Sequence, residues 1–139
     1  MTTAVQPALA GSNKKYWIGW TMSGLVIAFM LMDATMKLLA LPVVLQAGQT
    51  IGFPGADMAR GLGTLLLICT VLHAAPRTGL LGAILLTAYL GGAVATHVRM
   101  GSPLFTHVLF GVYLGILLWG GLCLRSAEVR QAVFAGVRR

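Results

Sequence analysis

Residues 80–97, LLGAILLTAYLGGAVATH, decide the fold. They run for eighteen positions without one Asp, Glu, Lys or Arg. As a helix they would rise ~27 Å, close to the ~30 Å hydrocarbon core of a bilayer. Apolar side chains follow one another instead of alternating, which separates the stretch from the strands of a membrane barrel. In lipid each backbone N–H and C=O needs an internal partner, so the stretch reads as a helix. Two breakers bound it. Before it, AAPRTG (74–79) holds Pro76 and Gly79, with Arg77 marking a membrane edge. After it, MGSP (100–103) turns the chain again.

Three more apolar runs surround this one. Tyr16–Leu41 opens with Trp17 and Trp20, which suit a lipid–water boundary, and Pro42 ends it. Residues 43–57, VVLQAGQTIGFPGAD, read as a loop or a short re-entrant piece. Met58–His73, MARGLGTLLLICTVLH, is short for a span and is expected to start within the headgroups. Leu104–Leu124 is the fourth run, with Trp119 near its end. The expectation is an all-α integral membrane four-helix bundle over residues 16–125. Residues 1–15 are expected to be a disordered cytoplasmic lead. They do not read as a cleavable signal, because the apolar run after them is too long and lacks a clear cleavage site. Residues 126–139 read as a basic cytoplasmic tail that can lie as an interfacial helix.

Composition agrees. The 139 residues are 58% hydrophobic and 9% charged, with a mean hydropathy of +0.86. Soluble domains carry roughly 25% charged residues, and one this small could not hide so much apolar surface from water. The formal net charge is +7, and Asp33, Asp57 and Glu128 are the only acidic residues. The basic residues flank the apolar runs, which is a topology signal, and no basic stripe is interleaved with aromatics. The expected partner is therefore the lipid bilayer and not nucleic acid. Lys14, Lys15, Arg77, Arg125, Arg130, Arg138 and Arg139 fall on one side, and Lys37, Arg60 and Arg99 on the other. The richer side is expected to be cytoplasmic and to carry both termini of a multi-pass membrane protein. Small residues recur along the runs, as in Gly19/Ser23, Gly61/Gly63, Gly79/Gly82, Gly91/Gly92, Gly111/Gly115 and Gly120/Gly121. Such residues let membrane helices approach closely, within one bundle or in a homo-oligomer.

The stretch from Ala75 to Arg125 resembles the DoxX-like family of small bacterial membrane proteins. The likeness rests on Pro76-Arg77, on LLTAYLGGAVATHVR (85–99), on SPLFTHVLF (102–110), on Trp119 and on Leu124-Arg125. Upstream, Lys37-Leu38 and Gly52-Phe53-Pro54 sit where the family has a lysine–leucine pair and a Gly-aromatic-Pro turn. The resemblance covers about residues 17–127 and implies a four-helix membrane bundle. The wider group includes partners of membrane redox systems, among them a subunit of a thiosulfate:quinone oxidoreductase. The chain departs from the family in the second helix, where many members carry a glutamate and this one has Gly61-Leu62-Gly63-Thr64.

The polar side chains gather toward one end of the runs. Asp33 and Lys37 are four apart in the favourable acid-first order. Asp33 stands ~24 Å along its helix from Trp17, at or within the hydrocarbon edge. Arg60, with Asp57 and Thr64, opens the second run; His97 and Arg99 close the third; His107 opens the fourth. Ionisable residues at membrane depth usually face the bundle interior. The candidate polar pocket is therefore Asp33, Lys37, Arg60, His97, Arg99 and His107. The bland reading pairs Asp33 with Lys37 and leaves each histidine bonded to backbone or water. The sharper reading gathers them around a quinone-type or anionic head. Two histidines without a matching carboxylate or thiolate are thin support for haem, and no metal site or other cofactor is identified. Cys69 and Cys123 read as apolar filler. No phosphate loop, GxSxG or HExxH occurs. The favoured reading is an accessory or structural subunit of a larger membrane complex of redox type. The alternative is a membrane-embedded enzyme or binder of a quinone- or isoprenoid-like molecule. Transport is disfavoured, because no inverted repeat is visible.

Overall fold

A computed structural model describes residues 9–135. The first eight residues of the expected lead, and Arg138 and Arg139 of the tail, lie outside the described residues. The elements are α1 (Leu9–Leu38), α2 (Pro42–Thr50), α3 (Ala56–Ala74), α4 (Gly79–Arg99), α5 (Leu109–Arg125) and α6 (Ala127–Ala135). A π-helical turn, Leu104–Val108, leads into α5. No strand occurs among the described residues. Among the described residues, four stretches are long and apolar enough to cross a membrane: Asn13–Leu38, Ala56–Ala74, Gly79–Arg99 and Leu104–Arg125.

Three boundaries differ from the sequence reading. Helix α1 begins at Leu9, inside the segment expected to be disordered. The 43–57 connection is largely the helix α2, started by Pro42 in its first turn, where a missing N–H costs nothing. Helix α3 starts at Ala56 rather than Met58, after Gly55 at φ +95°, and so reaches spanning length at nineteen residues. Asp57 in its first turn faces the positive end of the helix dipole.

The spans form a ring. Helix α1 packs against α3 and α5, and α4 closes the ring between them. Buried positions recur at helical spacing: Val26, Met30 and Ala34 on α1; Leu66 and Cys69 on α3; Ala83, Leu86 and Leu90 on α4; Leu114, Leu118 and Leu122 on α5. The outward faces are no less apolar. Leu25, Met32, Leu65, Ile68, Ile84 and Ile116 are all exposed. A chain greasy on both faces has lipid as its solvent.

Without a hydrophobic drive between helices, close approach must hold the ring together. Glycines supply it. A Cβ on Gly121 would stand 2.9 Å from the Ser23 backbone nitrogen and 3.0 Å from the Gly19 carbonyl. A Cβ on Gly63 would stand 2.8 Å from the Lys37 Cβ and 3.0 Å from the Ala34 carbonyl. Gly82 lies against the backbone of His73. His73 is fully buried, and its Nδ1 meets the Gly79 carbonyl at 3.1 Å. A carbonyl only accepts, so Nδ1 carries the proton, and Nε2 has no partner among the described residues. By contrast, Gly24, Gly61, Gly91, Gly92 and Gly115 have open space where a Cβ would go.

Candidate functional site

The site lies at the end of the bundle where α1 and α4 stop and α3 and the π-helical turn start. Left-handed residues make the stops. Gly101, at φ +65°, follows α4. Its N–H donates to the Val98 carbonyl at 3.1 Å, and the Ser102 N–H donates to the His97 carbonyl at 3.0 Å. This paired pattern is the Schellman ending. Ser102 is thereby folded back so that its Oγ lies 3.1 Å from His97 Nδ1. Helix α1 ends in the same pattern, with Ala40 at φ +48° as its left-handed residue. Helix α2 repeats it with Gly52 at φ +84°.

Pro103 then blocks direct continuation of the helix. The next turn is wide: the Val108 N–H reaches the Pro103 carbonyl at 3.4 Å, five residues back. This extra residue in the turn swings His107 over His97, with ring centroids 5.4 Å apart and planes tilted by 59°. Thr106 Oγ1 lies 2.8 Å from His107 Nδ1. Each histidine thus has its Nδ1 engaged by a neighbouring hydroxyl. Neither Nε2 has a hydrogen bond among the described residues.

Both rings line a cavity of about 520 Å³ between the four spans. That is within the size range of small-molecule sites. Asp33, Lys37 and Tyr89 line it as well, while Phe29, Met30, Ala93, Val94 and Leu114 make apolar wall. Ile51 and Phe53, from the turn after α2, contribute to the same lining. Lys37 Nζ donates to both oxygens of Asp33, and the two side chains are 20% and 30% exposed. The pair is therefore close to neutral as a unit, which makes its depth tolerable.

Four of the six sequence-level candidates, Asp33, Lys37, His97 and His107, share this cavity. Arg60 is not in its lining: it is exposed and 3.7 Å from the exposed Asp57, one turn away on the outer side of α3. Arg99 is exposed too and lies beside Gly52 instead of in the cavity. Three contributors were not singled out in the sequence. Tyr89 stands on the same α4 face as Ala93 and His97, a four-residue spacing that could have flagged it. Phe53 and Ser102 depend on turn geometry that spacing does not reveal. Among the described residues no three His, Cys, Asp or Glu stand together as metal ligands.

The spans, the turns and the cavity all fall in the region where one family model aligns, residues 21–121 of 139. The chain belongs to the DoxX-like family. No curated protein and no solved structure matches it. The DoxX-like match includes Asp33, Lys37, Tyr89, His97 and His107, and stops short of Arg125 and α6. In this DoxX-like chain the second span offers no carboxylate to the cavity. That span gives the cavity Leu62 and Leu65, while Gly63 packs against Ala34 and Lys37 with no room for a side chain.

Proposed function

We propose that this protein binds a lipophilic molecule with a small polar head, of the quinone or isoprenoid-alcohol class, in the cavity between its four spans. The observation that carries this reading is the pair of histidines, each with Nδ1 occupied, lining an apolar chamber. A hydroxyl can donate to or accept from Nδ1. Each Nε2 is therefore free to be an acceptor or a donor, and can meet either a carbonyl or a hydroxyl on the same ligand. The Asp33–Lys37 pair adds a fixed dipole, and the apolar wall suits a ring or the start of a chain. The bilayer supplies such ligands directly.

The test is native mass spectrometry of the protein from mild detergent, first as isolated and then with an added short-chain benzoquinone or its quinol. A retained lipophile, or saturable binding of either probe, supports the reading. His97→Ala and His107→Ala should each weaken binding roughly three- to tenfold, the worth of one hydrogen bond. Ala93→Trp, which fills the chamber, should abolish it. A folded protein that holds nothing, or an Ala93→Trp variant that binds as well as the parent, refutes it.

A second reading, an accessory subunit of a larger membrane complex of redox type, is favoured by the outer face of α4 and α5. There a shallow groove of about 450 Å³ is lined by Gly91, Gly115, Val112, Ile116 and Trp119. A Cβ on Gly91 or Gly115 would meet nothing within 4 Å among the described residues, and small residues on such an open face receive helices of other membrane subunits. Leucine at both positions should displace a copurifying subunit or split a homo-oligomer while leaving the isolated chain folded. In either reading we place the end carrying α6 on the cytoplasmic side of a bacterial inner membrane, the side that a surplus of cations favours. Cysteine labelling of Ser12 against Gln49 from the two sides of the membrane checks the orientation.

A further inference from the structure

At the α6 end, we infer that the chain holds a second site, which takes the phosphodiester headgroup of an anionic, hydroxyl-bearing bilayer phospholipid of the phosphatidylglycerol type. The inference stands independently of the cavity at the other end.

Charge is distributed unevenly between the two ends. Near the α2 end, Lys37, Arg60 and Arg99 are offset by Asp33 and Asp57, and two of the three cations are paired. Near the α6 end, Lys14, Lys15, Arg77, Arg125 and Arg130 face a single carboxylate, Glu128. None of these five is in an ion pair with a carboxylate among the described residues. The unmatched charge must be answered from outside the chain.

Arg125 shows where. A hollow of about 710 Å³ lies between the start of α1, the 75–78 turn and α6, lined by Tyr16, Trp20, Arg77, Arg125, Ser126 and Glu128. Packing fixes the guanidinium before any ligand arrives. One Nη donates to the His73 carbonyl at 3.1 Å, and Cζ sits 4.7 Å from the centre of a Trp20 ring. His73 is itself locked between α3 and α4, so this anchor is rigid. The buried Arg125 Nε has no hydrogen-bond partner among the described residues. A guanidinium has five N–H groups in a planar fork, a shape matched to phosphate oxygens. Most of those groups on Arg125 are unspent. Arg77 is the second cation in the lining, exposed on the turn that faces α6.

The depth fits a headgroup. Tyr16 and Trp17 are exposed beside Trp20, and aromatic residues of this kind mark the membrane interface. Glu128, in the first turn of α6, and Ser126, just before that helix, line the hollow. Glu128 would repel a bare phosphate, yet it accepts hydrogen bonds from hydroxyls. A glycerol headgroup carries such hydroxyls and a choline headgroup does not. The two arginines therefore select the phosphate, and Glu128 with Ser126 selects what is attached to it.

The experiment is native mass spectrometry of the delipidated full chain, loaded with equal amounts of phosphatidylglycerol and phosphatidylcholine. One phosphatidylglycerol should be retained in preference, and phosphatidylglycerol alone should raise the melting temperature. Arg77→Gln, which removes an exposed cation with no packing role, should cut the preference about fivefold, the worth of one interfacial cation. Arg125→Gln should cut it at least as far. If Arg125→Gln fails to fold, Arg77→Gln decides alone. An unchanged preference in Arg77→Gln, or no preference in the parent, overturns the inference. It is also overturned if inorganic phosphate alone protects the protein as well as phosphatidylglycerol does, because the ligand is then a soluble anion.

Discussion

Gly121→Ala should loosen the bundle where α1 crosses α5. The added methyl would meet Ser23 Oγ at 2.7 Å, the Ser23 nitrogen at 2.9 Å and the Gly19 carbonyl at 3.0 Å. Comfortable contact to carbon starts at about 3.5 Å, so α1 must retreat by roughly half an ångström. Two of those three atoms are backbone, so no rotamer change can absorb the clash. Overpacking of this kind costs about 1–3 kcal/mol, roughly a 5- to 150-fold loss in the folded-to-unfolded ratio. The retreat also draws Trp20 away from Arg125, since both straddle the same crossing. Reversible unfolding in mixed micelles, followed by tryptophan fluorescence, measures the cost. Gly115→Ala is the control on the same helix, because its Cβ would meet nothing within 4 Å. If Gly121→Ala is as stable as the parent to within about 0.5 kcal/mol, or if Gly115→Ala is equally damaging, the close-approach account of the ring is wrong.

Other consequences can be measured in the same way. Lys37→Met strips Asp33 of its counter-charge inside the bundle and should destabilise by about 1–3 kcal/mol; adding Asp33→Asn should restore most of the loss, which a double-mutant cycle reads directly. Ala40→Gly relieves a left-handed residue that carries a Cβ, and should raise stability by up to about 1 kcal/mol, seen as a higher unfolding midpoint. Trp119→Phe removes the 2.9 Å hydrogen bond from its indole N–H to Thr87 Oγ1; the loss should be about 0.6 kcal/mol, the average for such bonds between membrane helices.

Much of the architecture could be read from the chain because lipid imposes it. Runs such as 80–97 have one solution in a bilayer, and Pro76, Gly79 and Pro103 mark their limits. The weaker readings fell where those constraints lapse. Helix α2 lies in a mixed stretch whose side chains are not buried, so neither periodicity nor length announced it. The short second run gained its missing residues from Ala56 and Asp57, which are polar or small enough to pass for loop. The site was half legible. Distance along each helix put Asp33, Lys37, His97 and His107 at one level, since rise per residue is fixed, and all four line the cavity. Rotation about the helix axis is not fixed by rise. Arg60 shares the end but points outward to Asp57, and Arg99, two residues past His97, lies outside the lining.

The wide turn at 104–108 is what remains when one residue is inserted into an otherwise regular helix. Removing Phe105, which is 72% exposed, would let the turn close to α-helical pitch. With the register from Leu109 onward held by the helix below it, His107 stays in place and the residues ahead of the deletion, Pro103 and Leu104, turn by about 100°, which draws the 100–103 turn and His97 out of line with His107. The facing of the two histidines is therefore held by a single codon. A lineage can acquire or discard it in one step, without rebuilding the bundle, and the cavity would change its polar lining while the fold stayed.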